Sequence, residues 1–423
     1  MPDNILITNA SQLLTLSGPE RPRLGDEMLR LGIIEDGAVL IQDGTIAAIG
    51  KPSDLVGTAE PGHHEIDAAG CVVMPGFVDA HTHPVFAGTR EDEYEMRAAG
   101  LSYKEIASRG GGILSTVHKT RAATEAQLFD LALPRTAWFL KYGTTTIEAK
   151  SGYGLTVEDE LKILRVIRRL SEETPLDLVP TFLGAHEIPL ECRPGNPEGR
   201  SRQDYLNLVT DEMLPLVARE GLARYCDVFC ESHVFNAEES LALMTRAKEL
   251  GLEVRMHAEQ LSSSGGAELA AKIGAATADH LEWIDSDGIR ELARAGVTAV
   301  LLPGAVFNLG LTRYAPAREM IEAGVPIVLA TDFNPGSSPT PSMQIVHSIA
   351  CTQMRMTPAE CVTASTINAA YSVGRGDRIG SLEPGKQADV IIYNCTDYRQ
   401  IPYFYGVNHV RTVIKGGGIV YGG

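Results

Sequence analysis

A basic face is what this sequence most plainly lacks. Its 37 lysines and arginines are outnumbered by 54 aspartates and glutamates, leaving a formal net charge of −17. Nucleic acid and anionic membranes repel such a surface, so neither is an expected partner. An anionic small molecule is not excluded, because one arginine in a dry pocket reverses the local sign. Long apolar runs are missing too: no stretch approaches the ~20 residues of a membrane span. The opening MPDNILITNASQLLTL has no basic head, no apolar core and no cleavage-like site. Cysteines are present without a pairing pattern. The seven (Cys71, Cys192, Cys226, Cys230, Cys351, Cys361 and Cys395) are odd in number, and no second pair stands at zinc-finger distance from Cys226 and Cys230. They read as free thiols in a reducing compartment, and the expected location is the cytoplasm.

What is present is ample material for a core, 44% hydrophobic and 22% charged over 423 residues. That accommodates one large domain or two moderate ones, and a β/α barrel alone takes about 250 residues. The two ends of the chain read as short strands. Leu6–Leu16, Gly37–Gln42 and Thr45–Ile49 are brief apolar or alternating runs. Asp43-Gly44 between the last two is a hairpin signal, since a type I′ turn needs positive φ at both central residues. Asp389–Tyr393, Val410–Ile414 and Ile419–Tyr421 repeat the pattern at the far end, with Gly416-Gly417-Gly418 as a turn. The expectation is a small β-sandwich domain assembled from both termini, residues 1–71 with 376–423.

Residues 72–375 alternate differently. Eight apolar runs, starting at Val72, Gly143, Asp177, Tyr225, Leu252, Ala276, Val297 and Val325, are separated by helical patterns. One helix is expected over Thr156–Leu170, with Thr156 and Asp159 resembling a capping box, and another over Ala237–Leu250, stopped by Gly251. Eight strands alternating with helices give an α/β fold, a TIM-like (β/α)8 barrel. Nearly every strand ends in a polar or charged residue on the side where a barrel places its active site.

His81-Thr82-His83 is the sharpest local feature. On a strand, residues i and i+2 share a face, so both imidazoles can converge on one ion; on a helix they would diverge by about 200°. His257, His280 and Asp332 stand at the ends of the fifth, sixth and eighth strands. Any one of them alone could be a hydrogen-bonded histidine or a capping aspartate. Two histidines from one strand with a third histidine and an aspartate make a mononuclear site with a position open for water, a catalytic arrangement.

These residues carry a resemblance. PGFVDAHTHP, the histidine of RMHAEQ, ADHLEW and LATDFNPG together look like the amidohydrolase superfamily. HTHPVFAGTREDEYEMR (81–97), GGGILSTV (110–117), KSGYGL (150–155), FLGAHEIP (182–189) and ATDFNPGSSPT (330–340) resemble, more closely, its imidazolonepropionase family, over nearly the whole chain from Val72 onward. The resemblance implies hydrolysis of the ring amide C–N bond of 4-imidazolone-5-propanoate to N-formimidoyl-L-glutamate, in histidine degradation. It implies one divalent or trivalent metal ion, zinc or iron, held by His81, His83, His257 and Asp332. It implies substrate contacts from Arg90, Tyr153, His186, Gln260, Asn334, Gly336 and Ser337, and a homodimer. Arg90 offers a planar fork for a carboxylate, Tyr153 and His186 can donate to carboxylate or ring oxygen, and the loop from Asn334 to Ser337 can present backbone donors.

In the mechanism these residue types suggest, Asp332 is general base and His280, or the metal, stabilises the tetrahedral oxyanion; Gln260 is counted with the catalytic group as a reader of the ring. Two features limit the resemblance. The fourth strand, YCDVFCESHVF, has no lysine to bridge a second metal, and Lys150 lies on the second strand, so one metal is expected. Gln260 stands where many ring deaminases carry glutamate, and glutamine cannot shuttle a proton; Glu259 should point to the opposite face. Rival readings are another mononuclear amidohydrolase, a ring deaminase or cyclic amidase, and a barrel that has become a non-catalytic binding protein. The missing strand-four lysine and Gln260 oppose the first, and the four filled ligand positions oppose the second.

Overall fold

A computed structural model describes residues 4–55, 62–101, 105 and 110–422. The expected α/β architecture is present. Eight parallel strands form one sheet in chain order: β1 (Phe77–Thr82), β2 (Thr144–Lys150), β3 (Asp177–Ala185), β4 (Tyr225–Cys230), β5 (Glu253–Ala258), β6 (Thr277–His280), β7 (Thr298–Leu301) and β8 (Ile327–Leu329). Closure comes from a parallel bridge between Thr82 and Phe333 and from Asp79, whose carboxylate accepts Thr331 N at 3.0 Å and Thr331 Oγ1 at 2.5 Å. Neighbouring strands in this sequence order leave the carboxyl ends of all eight at one mouth, which gathers residues far apart in the chain.

The termini build two further sheets. One has the order Thr45–Gly50, Gly37–Gln42, Ile5–Ala10, His64–Asp67; the other runs Gly418–Tyr421, Val410–Lys415, Val390–Tyr393, Val72–Pro75, Gln12–Leu14, Ile33–Ile34. Ile5, Ile7, Val39 and Ile41 of the first share a core with Leu13, Val73, Val390 and Ile392 of the second, so strands from the two ends of the chain bury one another. Asp43 and Gly44 both adopt positive φ, 49° and 79°, as the hairpin reading requires.

One strand expectation is corrected. The run from Val72 is not a single barrel strand: Val72–Pro75 pairs with Val390–Tyr393 in the terminal sheet, and the barrel begins at Phe77. Pro75 has no N–H to continue a ladder, and Gly76 passes so close to β2 that a Cβ there would collide with Thr145 Oγ1. Gly76→Ala is therefore expected to destabilise by about 1–3 kcal/mol through overpacking, read as a lowered melting temperature with the mouth of the barrel unchanged.

The two helices read from the pattern form over Val157–Glu173 and Ala237–Glu249, the latter followed by Gly251 at φ 85°. Thr156 caps its helix by accepting Asp159 N at 3.1 Å, but the Asp159 carboxylate takes the Thr156 hydroxyl at 2.7 Å instead of a backbone N–H. All seven cysteines are free thiols. Among the described residues no helix is long and apolar enough to cross a membrane.

Candidate active site

His81 stands one residue before the end of β1 and His83 just beyond it, their rings 5.3 Å apart; His257 of β5 stands 4.5 Å from His81, and His280 closes the group at 5.3 Å from His257. Ligand nitrogens of His81, His83 and His257 all lie within 4.8 Å of one another. Asp332 Oδ1 is 3.6 Å from both His81 Nε2 and His83 Nε2. Asp332 and His280 hold φ of 52° and 81°, a left-handed backbone that costs a non-glycine residue about 1–3 kcal/mol and clusters at functional sites.

These residues fit a metal. Among the described residues His81 Nε2 is buried without a hydrogen-bond partner, an arrangement that costs free energy unless something else engages its lone pair. Burial, with the neighbouring Lys150 and the other histidines, holds His81 and His83 well below the ordinary imidazole pKa, so both offer lone pairs, not protons. Two ligands of one tetrahedral ion at about 2.1 Å stand roughly 3.4 Å apart, close to the 3.6 Å observed around Asp332 Oδ1. Nitrogen with carboxylate oxygen is a donor set for zinc, iron and similar cations.

Behind the histidines lies a polar layer that attention to strand ends alone does not reveal. His81 Nδ1 faces Asp279 Oδ2 at 2.6 Å, and His257 Nδ1 faces Asp227 Oδ2 at 3.0 Å. Carboxylates in this position fix the tautomer and direction of a ligating imidazole. Glu148, Lys150 and Arg255 fill the rest of the layer, all fully buried. The available signal was parity: Asp79/His81, Glu148/Lys150 and Arg255/His257 recur every second residue within apolar strands, and that spacing points to one face.

On the far side, Arg90 donates through Nε and Nη2 to Glu93 at 2.9 and 2.7 Å, and Glu93 also accepts Gly112 N at 3.0 Å. This pairing, also missed in the sequence, leaves the Nη1 edge of Arg90 against Gly336, where a Cβ would collide with it. Gly336→Ala is thus expected to displace Arg90 and raise KM about tenfold or more, while metal content is unchanged; steady-state kinetics beside metal analysis checks it.

Tyr153 is buried 5.8 Å from the His83 ring, and burial pushes its phenol above the ordinary value, so it is a neutral donor. His186 stacks on His83 at 5.1 Å, with Nδ1 3.0 Å from Gly152 O. Burial lowers its pKa to about 3. A neutral imidazole whose Nδ1 faces a carbonyl carries its proton there, leaving Nε2 an acceptor. His186 is therefore placed to accept a hydrogen bond, not to donate one as the sequence reading had it.

The loop after Asp332 also differs from expectation. Gly336 N and Ser337 N both bond Asn334 Oδ1 at 2.8 Å, while Asn334 Nδ2 donates to Asp332 O and Ser337 Oγ. An Asx-type turn consumes the backbone donors, and what the loop offers is its shape and the Ser337 hydroxyl, 3.3 Å from Asp332 Oδ2. Gln260 sits half-buried in the bend beyond β5 and is not among the groups bonded to the histidines. Glu259 turns away, as expected, and accepts Ser264 N and Gly266 N at 3.0 and 2.8 Å. His280 would lose its proton by burial alone, but Glu282, 3.5 Å from Nδ1, and Asp332 raise its pKa above the ordinary value. Burial likewise raises Asp332. A cavity of about 1160 Å³ is lined by Glu187 and Ile188, which follow His186 in the chain, and by Gly112, Lys119 and Arg193.

An eight-stranded parallel barrel with inward-facing histidines at its carboxyl mouth is the frame of a metal-dependent amidohydrolase, and the model of the Amidohydrolase family matches residues 107–421. An adenosine deaminase from Xanthomonas campestris, solved with bound zinc, shares the fold with a TM-score of 0.72 at 19% identity, over 100% of this chain and 93% of that one. The imidazolonepropionase of Solibacter usitatus is 56% identical over 100% of this chain and 99% of its own length. That of Geobacillus kaustophilus is 49% identical over 98% and 97%. The chain belongs to the imidazolonepropionase family of amidohydrolases.

Proposed function

We propose that the protein opens 4-imidazolone-5-propanoate by hydrolysing its ring amide C–N bond, giving N-formimidoyl-L-glutamate. One observation supports this choice of substrate above others: Arg90, steered by Glu93, lays its Nη1 side against Gly336 of the loop that carries Asp332, so a carboxylate and a ring amide can be held at once. His81, His83, His257 and Asp332 would hold a single zinc or iron ion. When bound, such an ion supplies Lewis acidity and brings the pKa of water from 15.7 toward about 7.

The chain's own residues do the rest. Arg90 orients the propionate, bidentately where its Nη1 edge allows. Tyr153 donates to the carboxylate or the ring oxygen, His186 Nε2 accepts a ring N–H, and Gln260 reads the ring edge. Asp332, steadied by Ser337 and made more basic by burial, accepts the proton of the attacking water. His280, kept protonated by Glu282, stabilises the tetrahedral oxyanion. The C–N bond then breaks, and the proton held on Asp332 is the one available to the leaving nitrogen. The protein is further proposed to act in the cytoplasm as a homodimer of its 45.5 kDa chain.

The test is spectrophotometric loss of imidazolone propionate with purified enzyme. No turnover of that compound, with ammonia released from an amino-heterocycle, would assign the site to a ring deaminase instead. Chelation is expected to abolish activity and lower the melting temperature, since metal binding contributes to folded-state stability; zinc or iron should restore both. Full activity in a preparation holding under a tenth of an equivalent of metal would overturn the metal assignment.

A further inference from the structure

Lys150 is fully buried at the centre of the barrel. Its Nζ donates to Glu148 Oε1 and Asp227 Oδ2, each at 2.8 Å, and stands 3.7 Å from Asp279 Oδ2. Those two aspartate oxygens are the same ones that face His257 and His81, at 3.0 and 2.6 Å. One unbroken chain of contacts therefore runs His81, Asp279, Lys150, Asp227, His257. Arg255 Nη1 approaches the opposite partner, Glu148 Oε1, at 3.5 Å.

A buried ion cluster of this kind is a poor device for stability alone. Desolvation of each charge costs several kcal/mol, and apolar residues of similar volume often serve as well or better; barrel interiors are ordinarily filled by branched aliphatic side chains. Another role is needed. Burial opposes the charge of Lys150, yet Asp227, Glu148 and Asp279 together keep its pKa above the ordinary value, so it is an ammonium with all three donors in use or in reach.

We propose that Lys150 is a positioning residue for the metal centre: one ammonium holds both carboxylates, and through them aims the Nε2 atoms of His81 and His257 at one point. The proposal rests on the assignment of those histidines as metal ligands. The two arms are unequal. Asp227 Oδ1 is also fixed by backbone, accepting Val228 N at 2.7 Å and His257 N at 3.2 Å. Among the described residues Asp279 Oδ1 has no hydrogen-bond partner, so Asp279 is held through Oδ2, by the hydrogen bond with His81 at 2.6 Å and the charge of Lys150 at 3.7 Å. Loss of the lysine should therefore loosen His81 more than His257.

The experiment measures zinc affinity by competition with a chromophoric chelator, for wild type and Lys150→Met, beside the melting temperature of each metal-free protein. The expected result is a zinc Kd raised about 10–100-fold, the usual effect of losing an outer partner of a metal ligand. A cobalt-loaded sample should show an altered visible band. Wild type that takes up no zinc overturns the ligand assignment itself. Wild type that binds zinc with Lys150→Met binding equally well overturns the role of Lys150 alone, and a lowered metal-free melting temperature with unchanged Kd does the same. If Lys150→Met does not fold, Asp227→Asn and Asp279→Asn, singly and together, decide the matter with the lysine in place. Carboxylates coupled through one ammonium should give losses in affinity that fall short of the product of the single losses; losses that multiply overturn the coupling.

Discussion

Asp332→Asn is expected to lower kcat by about 10³–10⁵-fold, with the fold intact. A general base contributes typically 10²–10⁴-fold, and this side chain is also counted on to hold the metal, so the loss should exceed that of a base alone. Asparagine keeps the volume and can still bond Ser337 Oγ, which stands 3.3 Å from Oδ2, so the loop from Asn334 to Ser337 has no reason to rearrange. What asparagine cannot do is accept a proton or carry charge toward His81 and His83. Metal analysis separates the two roles. Retained metal with lost turnover isolates the base, whereas lost metal says that the ligand role dominates. Unchanged kcat in a variant that keeps its metal would remove Asp332 from the mechanism.

Much of this architecture is legible in the residues because local and global requirements agree. Each barrel strand after the first is a short apolar run between turn residues and a helical pattern, so those seven can be placed from run length and flanking signals. The ligand candidates are legible because they fall where those runs end. Three things are not. The run from Val72 looks continuous, and its break at Pro75-Gly76 depends on pairing with Val390–Tyr393, more than 300 residues away. The layer of Lys150, Asp227 and Asp279 lies inside the strands, where charged residues read as exceptions until their two-residue parity is compared between strands. The donor or acceptor character of His186 hangs on one carbonyl, Gly152 O, and no pattern in the chain fixes which ring nitrogen meets it.

Arg90→Met should weaken substrate binding about 10²–10³-fold and move kcat by less than tenfold. Truncating one partner of a buried charged pair costs about 2–5 kcal/mol, and each 1.4 kcal/mol is a factor of ten in affinity. The loss should appear in KM because the carboxylate is remote from the bond that breaks and is held alike in ground and transition states. One complication can be removed. Methionine also leaves Glu93 without the two bonds of 2.9 and 2.7 Å that Arg90 gives it, with Gly112 N the one bonded partner left among the described residues, and an unpaired buried carboxylate could distort the loop. The pair Arg90→Met with Glu93→Gln takes that charge away. If the high KM reflects the missing guanidinium, it persists in the double variant while thermal stability recovers. If KM recovers as well, the single variant had merely disordered the wall of the site. A substrate analogue lacking the propionate carboxylate gives the complementary reading. The preference for the true substrate that wild type shows should be mostly lost in Arg90→Met, and turnover of the analogue should be nearly the same in both proteins. An Arg90→Met enzyme that still discriminates between the two compounds as wild type does would place the carboxylate on other residues.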